Sequence, residues 1–145
     1  MTSTATEESA MTTTHTPAPG KIAPRIGLVL QILVIVFLLF DAISHILNLQ
    51  VVKDASVDLG LRDEMAPITG IVMLIILVLY AVPVTSILGA IVLTGYLGGA
   101  VLTNWRVEKP LLSTVFFAIY VGIAAWGALY LRDERVRSII PLRRT

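Results

Sequence analysis

The chain has 145 residues, 56% of them hydrophobic and 14% charged, with a formal net charge of +1 and no cysteine. Soluble domains carry nearer a quarter charged residues, and a chain this short and apolar would expose large sticky patches in water. The near-neutral charge excludes a nucleic-acid surface, and the lack of cysteine excludes disulfides, thiolate nucleophiles and thiolate metal sites.

Residues 1–24 are rich in Thr, Ser, Ala and Pro ("MTSTATEESAMTTTHTPAPG") and are predicted to be a disordered tail, because they cannot bury enough apolar area to offset the entropy of ordering. Glu7 and Glu8, with no Lys or Arg near the start, argue against a signal peptide, and His15 stands alone in this tail. Residues 25–132 form one membrane domain with four apolar blocks of spanning length, at 26–49, 67–82, 85–105 and 110–131. Residues 133–145 are a basic tail. The fold class is thus all-α, an integral membrane four-helix bundle with a disordered N-terminal tail.

Pro67 and Pro110 suit the first turns of the second and fourth spans. Pro83 ends the second span and Thr85 can cap the third, which makes a tight hairpin. The one sizeable loop, "VVKDASVDLGLRDEMA", lies between the first two spans and is acidic. Four spans place both termini on one side, with Lys21, Arg25, Arg132, Arg135, Arg137, Arg143 and Arg144 near them. Lys53, Arg62, Arg106 and Lys109 occupy the opposite loops, so the positive-inside rule puts both termini in the cytoplasm. In the tail, Val136, Ile139 and Ile140 have helical spacing among arginines; a topology-setting basic end is favoured over a helix lying on the leaflet.

Gly95 and Gly99 form a small-residue motif on the third span, matched by Ala118 and Gly122 on the fourth. Close packing inside the bundle is the favoured use, and a homodimer interface the alternative. Trp105 at one end, and Tyr80, Trp126 and Tyr130 near the other, read as interfacial anchors.

The first span carries Asp41, Ser44, His45 and Asn48, whose i, i+3, i+4, i+7 spacing puts them within an arc of roughly 100°. At 1.5 Å per residue Asp41 stands about 23 Å from Ile26 and about 18 Å from Lys53, inside the hydrocarbon and nearer the outer side. A charged side chain facing lipid costs about 2.5–3.5 kcal/mol, so the stripe should face protein or water. Thr69, Thr103, Asn104, Arg106, Ser113 and Thr114 fall towards the same end, and the inner half has far fewer polar groups. The expectation is an outward-opening polar pocket of Asp41, Ser44, His45 and Asn48, with Asn104, Trp105 and Arg106 at its mouth. One Asp and one His are too few for a metal site.

The runs "PVTSILGAIVLTGYLGGA" at 83–100 and "WGALYLRD" at 126–133, with Phe40 and Asp41, resemble the DoxX-like family of small four-span bacterial membrane proteins. Relatives often carry Lys where His45 stands and His where Asn104 stands. The resemblance implies the four-span fold and a bacterial inner-membrane location. It also implies an accessory subunit of a membrane redox system rather than a stand-alone enzyme. Such a subunit has no intrinsic cofactor; it would bind a quinone or dock partner proteins of a redox complex. A small proton-coupled transporter and a membrane scaffold are the rival readings.

Overall fold

A computed structural model describes residues 22–62 and 64–140, and the expected disordered tail, except for residues 22–24, lies outside them. Among these residues the chain is helical: α1 (Ile22–Ile46), α2 (Gln50–Asp58), α3 (Met65–Ala81), α4 (Ser86–Arg106), a π-helical turn (Leu111–Val115), α5 (Phe117–Arg132) and α6 (Glu134–Ile139). The α1 and α4 helices and the Leu111–Arg132 segment, of 25, 21 and 22 residues, are long and apolar enough to cross a membrane. The apolar α3 helix has 17 residues, about 26 Å of helix and near the lower limit for a span.

The long helices pack in a ring: α1 lies between α3 and α5, and α4 closes the other side against the same two. Leu38, Met73, Tyr80, Leu93, Ala125 and Val136 belong to the core between them. The outer surface is equally apolar, with Leu33 60%, Phe40 70% and Ile123 66% exposed. Such a surface suits lipid and would aggregate in water.

Helix ends follow from local chemistry. Three close on a residue at positive φ: Asn48 (50°), Gly60 (66°) and Glu108 (55°). Asn48 N–H bonds to the His45 carbonyl and Leu49 N–H to that of Ser44, the paired bonds of a Schellman motif. The first helix therefore stops at Ile46, short of the expected 49. The acidic stretch read as a loop is instead largely helix, as α2 occupies Gln50–Asp58. It buries Val52 and Ser56 one turn apart and leaves Asp54 and Asp58 exposed.

The α3–α4 connection is a hairpin of four residues, 82–85. Thr85 does not cap α4 with its side chain; its hydroxyl donates to the Leu79 carbonyl at 2.8 Å and closes the end of α3. Tightness comes from Gly89, which sits directly against the backbone of Tyr80 and Leu79. Gly70 likewise lets α3 approach α1, since a Cβ there would lie 2.7 Å from the Ala42 carbonyl oxygen. Gly95 and Gly99, the pair expected to pack inside the bundle, do not: a Cβ at either would meet nothing within 4 Å. Gly122 does face α4, since a Cβ there would lie 3.6 Å from Leu97 Cδ1.

The end of the bundle near Arg132 is more polar than its sequence suggested. Gln31, 4% exposed, donates its amide N–H to the Tyr80 carbonyl at 3.2 Å and accepts from the Arg132 guanidinium. Tyr80 is no interfacial anchor; it is fully buried and donates its hydroxyl to the Ala125 carbonyl at 2.9 Å. Trp126 is half-buried and donates to Thr94 Oγ1 at 2.9 Å, whereas Trp105 is 62% exposed.

The C-terminal segment is more than a set of charges. Asp133 caps α6 by accepting from Arg135 N–H, Val136 is 1% exposed in the core, and Arg135 donates to the Pro83 carbonyl at 2.9 Å. The hydrogen bonds from the Arg135 side chain, foremost, hold the Asp133 carboxyl below the usual carboxylate range. Its folded pKa is thus lower than its unfolded one. The stabilisation is complete above the ordinary aspartate range and lost as pH falls through the depressed value. Amide exchange in α6, corrected for intrinsic rates, should stay protected from pH 7 to about 5 and lose protection below about pH 4. Asp133→Asn should abolish that dependence, and unchanged pH-sensitivity in this variant would show that another group controls α6.

Candidate functional site

A cavity of about 540 Å³ opens between α1, α3, α4 and α5 at the end where α1 and α4 stop. That is within the roughly 300–1,000 Å³ typical of small-molecule sites. Asp41 and His45 enter it from α1, Thr69 and Met73 from α3, Tyr96 and Asn104 from α4, and Thr114 and Phe117 from the π-helical turn and α5. The walls are otherwise apolar; Phe37 and Phe117 meet edge to face with centroids 5.5 Å apart.

Hydrogen bonds around His45 set its protonation pattern. The Thr69 hydroxyl donates its one proton to the Ala66 carbonyl at 2.8 Å. With that proton on the carbonyl, Thr69 accepts at its 3.1 Å contact with His45 Nδ1, and Nδ1 is the protonated nitrogen. His45 Nε2 then faces Asp41 Oδ1 at 3.9 Å, too far for a direct hydrogen bond. A neutral imidazole and a carboxylate would present two acceptors to each other. The pair is complemented by one proton, and an O–H group can then bridge the two, donating to the unprotonated member and accepting from the protonated one.

Of the seven residues expected at this site, Asp41, His45 and Asn104 line the cavity. Asn104 also donates to the Ala100 carbonyl at 2.9 Å. Ser44 is buried, and its hydroxyl turns back to the Phe40 carbonyl at 2.8 Å. Asn48 terminates α1, with its side-chain oxygen buried and lacking a protein partner among the described residues. Trp105 points outward, and Arg106 donates to the Leu59 carbonyl at 2.6 Å. Arg106 acts with Lys109, which pairs with Asp58 at 2.9 Å. Together they hold the segment that contributes Leu59 and Leu61 to the cavity lining. Tyr96 was not foreseen; its signal is a face of α4 shared with the polar Thr103 and Asn104. Among the described residues no three His, Asp or Glu side chains gather as metal ligands.

Residues 29–128 match the family model described as the DoxX-like family. The chain belongs to the DoxX-like family. That match spans the helices that build the cavity, so Asp41, His45, Thr69, Tyr96 and Asn104 of this DoxX-like protein all lie within it. Together with its apolar helices, it makes the chain a multi-pass membrane protein of that family. No curated protein and no solved structure is significantly similar to the DoxX-like chain.

Proposed function

We propose that this protein is an accessory subunit of a bacterial inner-membrane redox system and binds a quinone-class head group in the Asp41–His45 cavity. All four long helices cross the bilayer in this reading, with both termini cytoplasmic and the cavity in the outer half. The observation that carries the proposal is the pair itself. His45 Nε2 and Asp41 Oδ1 lie 3.9 Å apart inside a largely apolar cavity, so that with one proton on the pair a hydroxyl can bridge it. A quinol hydroxyl can do so: it donates to one member of the pair and accepts from the other when that member is protonated. The aromatic ring would lie against Met73, Tyr96 and Phe117, where apolar burial and ring contacts add affinity.

A proton-coupled transporter needs its acid exposed to both sides in turn. Leu38, Met73 and Leu77 are buried at 3%, 1% and 3% exposure in the core shared with Val34 and Tyr80, leading towards the other polar end. This apolar layer favours the binding role.

The test is native mass spectrometry of the protein extracted gently from its own membrane, wild type beside Asp41→Ala. The expected result is an adduct with the mass of the host quinone on the wild type and none on the variant. A bare wild-type chain under conditions that keep other quinone proteins loaded would sink the proposal.

A further inference from the structure

A second cleft, of about 390 Å³, lies at the opposite end of the bundle, between α1, the α3–α4 hairpin, the end of α5 and the start of α6. Its charged residues are Arg132, Asp133, Glu134 and Arg135. Both carboxylates are engaged: Asp133 pairs with Arg135 at 2.7 Å, and Glu134 with Arg137 at 3.5 Å. Arg132 differs. Its partner is the neutral amide of Gln31, and among the described residues no carboxylate stands within ion-pair distance of it. The Gln31 amide is itself fixed, because its N–H end is committed to the Tyr80 carbonyl in a site only 4% exposed. Its oxygen is therefore held towards Arg132, and the guanidinium is positioned before any ligand arrives. One N–H donates to Gln31, and the other four guanidinium donors have no protein acceptor among the described residues.

The surroundings select the ligand. Ala81 and Leu129 supply apolar lining, and Ser86 lies beside them. The cleft is where the apolar helices α3 and α5 end and the charged residues of α6 begin, so it sits at a membrane–water boundary. A ligand there needs an anionic group for Arg132 and an apolar body that continues along the helices. Guanidinium matches a phosphate through paired N–H···O bonds, better than an ammonium does. We infer that this cleft binds the phosphodiester head group of an anionic phospholipid, with Arg132 as its main ligand and Gln31 as the residue that positions Arg132. This is independent of the quinone reading, since the two clefts share no lining residue.

The experiment reconstitutes the full chain in mixed phosphatidylcholine–phosphatidylglycerol nanodiscs and reads the retained lipids by native mass spectrometry. Wild type should retain phosphatidylglycerol over phosphatidylcholine. Arg132→Gln should lower that preference about fivefold. Arg132→Lys keeps the charge without the fork and should show a smaller loss in the same direction; it also carries the test if Arg132→Gln fails to assemble. Arg62→Gln removes a charge from the other end and should leave the preference unchanged. Equal retention by wild type and both Arg132 variants would overturn the inference, as would an equal loss in Arg62→Gln. Displacement of the lipid by inorganic phosphate would overturn it in favour of a soluble phosphate compound.

Discussion

Gly89→Ala is expected to lower the stability of the helix bundle by about 3 kcal/mol, the upper part of the usual overpacking range. A Cβ at Gly89 would lie 2.5 Å from Tyr80 Cα and 2.6 Å from the Leu79 carbonyl carbon, and it would also strike Tyr80 N. These are backbone atoms, so no rotamer change relieves the overlap, and α3 and α4 must move apart. Tyr80 cannot follow cheaply. Its ring is fully buried, its hydroxyl is bonded to Ala125 and its carbonyl to Gln31. Gly95→Ala and Gly99→Ala are the internal controls. Neither Cβ meets anything within 4 Å, and alanine is the better helix former by roughly 0.5–1 kcal/mol. These two should be neutral or slightly stabilising. Reversible unfolding in mixed detergent, followed by far-UV circular dichroism, separates the classes. Equal effects at all three positions would mean that the hairpin is looser than the Gly89 contact implies.

Asp41→Asn should weaken binding of a short-chain quinol analogue by about tenfold to a hundredfold while leaving bundle stability within about 0.5 kcal/mol. The amide keeps the shape of the carboxyl but can neither hold the shared proton nor carry the charge that strengthens its hydrogen bonds. Stability should hold because Asp41 closes no hydrogen bond to the bundle among the described residues, and its side chain is 42% exposed. Asp41→Glu restores the carboxyl displaced by a methylene and should recover part of the affinity. Calorimetric titration and the same unfolding assay report the two quantities separately. The opposite split, with lost stability and unchanged binding, would make Asp41 a structural pin of the helices. Loss of a substrate-driven proton flux in proteoliposomes would instead favour the transporter.

Asp41 and His45 of the candidate site were legible because Asp and His are costly inside an apolar helix, and the spacing put them on one face. Thr69 and Asn104 could be assigned to the same end from the alternation of helix directions alone. Gln31 escaped notice because a single neutral amide in a long span is a weak signal, although it shares a buried face with Val34, Leu38 and Ala42. Ser44 and Asn48 have the right spacing for the stripe, but the Ser44 hydroxyl bonds its own turn and Asn48 sits at the positive-φ end of α1. Spacing along a helix gives direction and cannot tell a side chain aimed at a cavity from one that bonds its own turn. The Gly95–Gly99 pattern misled for a related reason, since small residues permit close approach without requiring it.

The sequence by itself determined an all-α membrane protein, the approximate bounds of its long apolar helices and the family, because apolar length and the family motifs are properties of contiguous segments. Tertiary structure alone decided which residues meet: His45 with Thr69, Gln31 with Tyr80 and Arg132, Gly89 with Tyr80, and Arg106 with Leu59. The reason is physical. In lipid the outside of each helix is as apolar as the inside, so hydrophobic patterning scarcely marks the buried face. The rotation and register of each helix are settled by close packing and a few polar contacts between segments far apart in the chain.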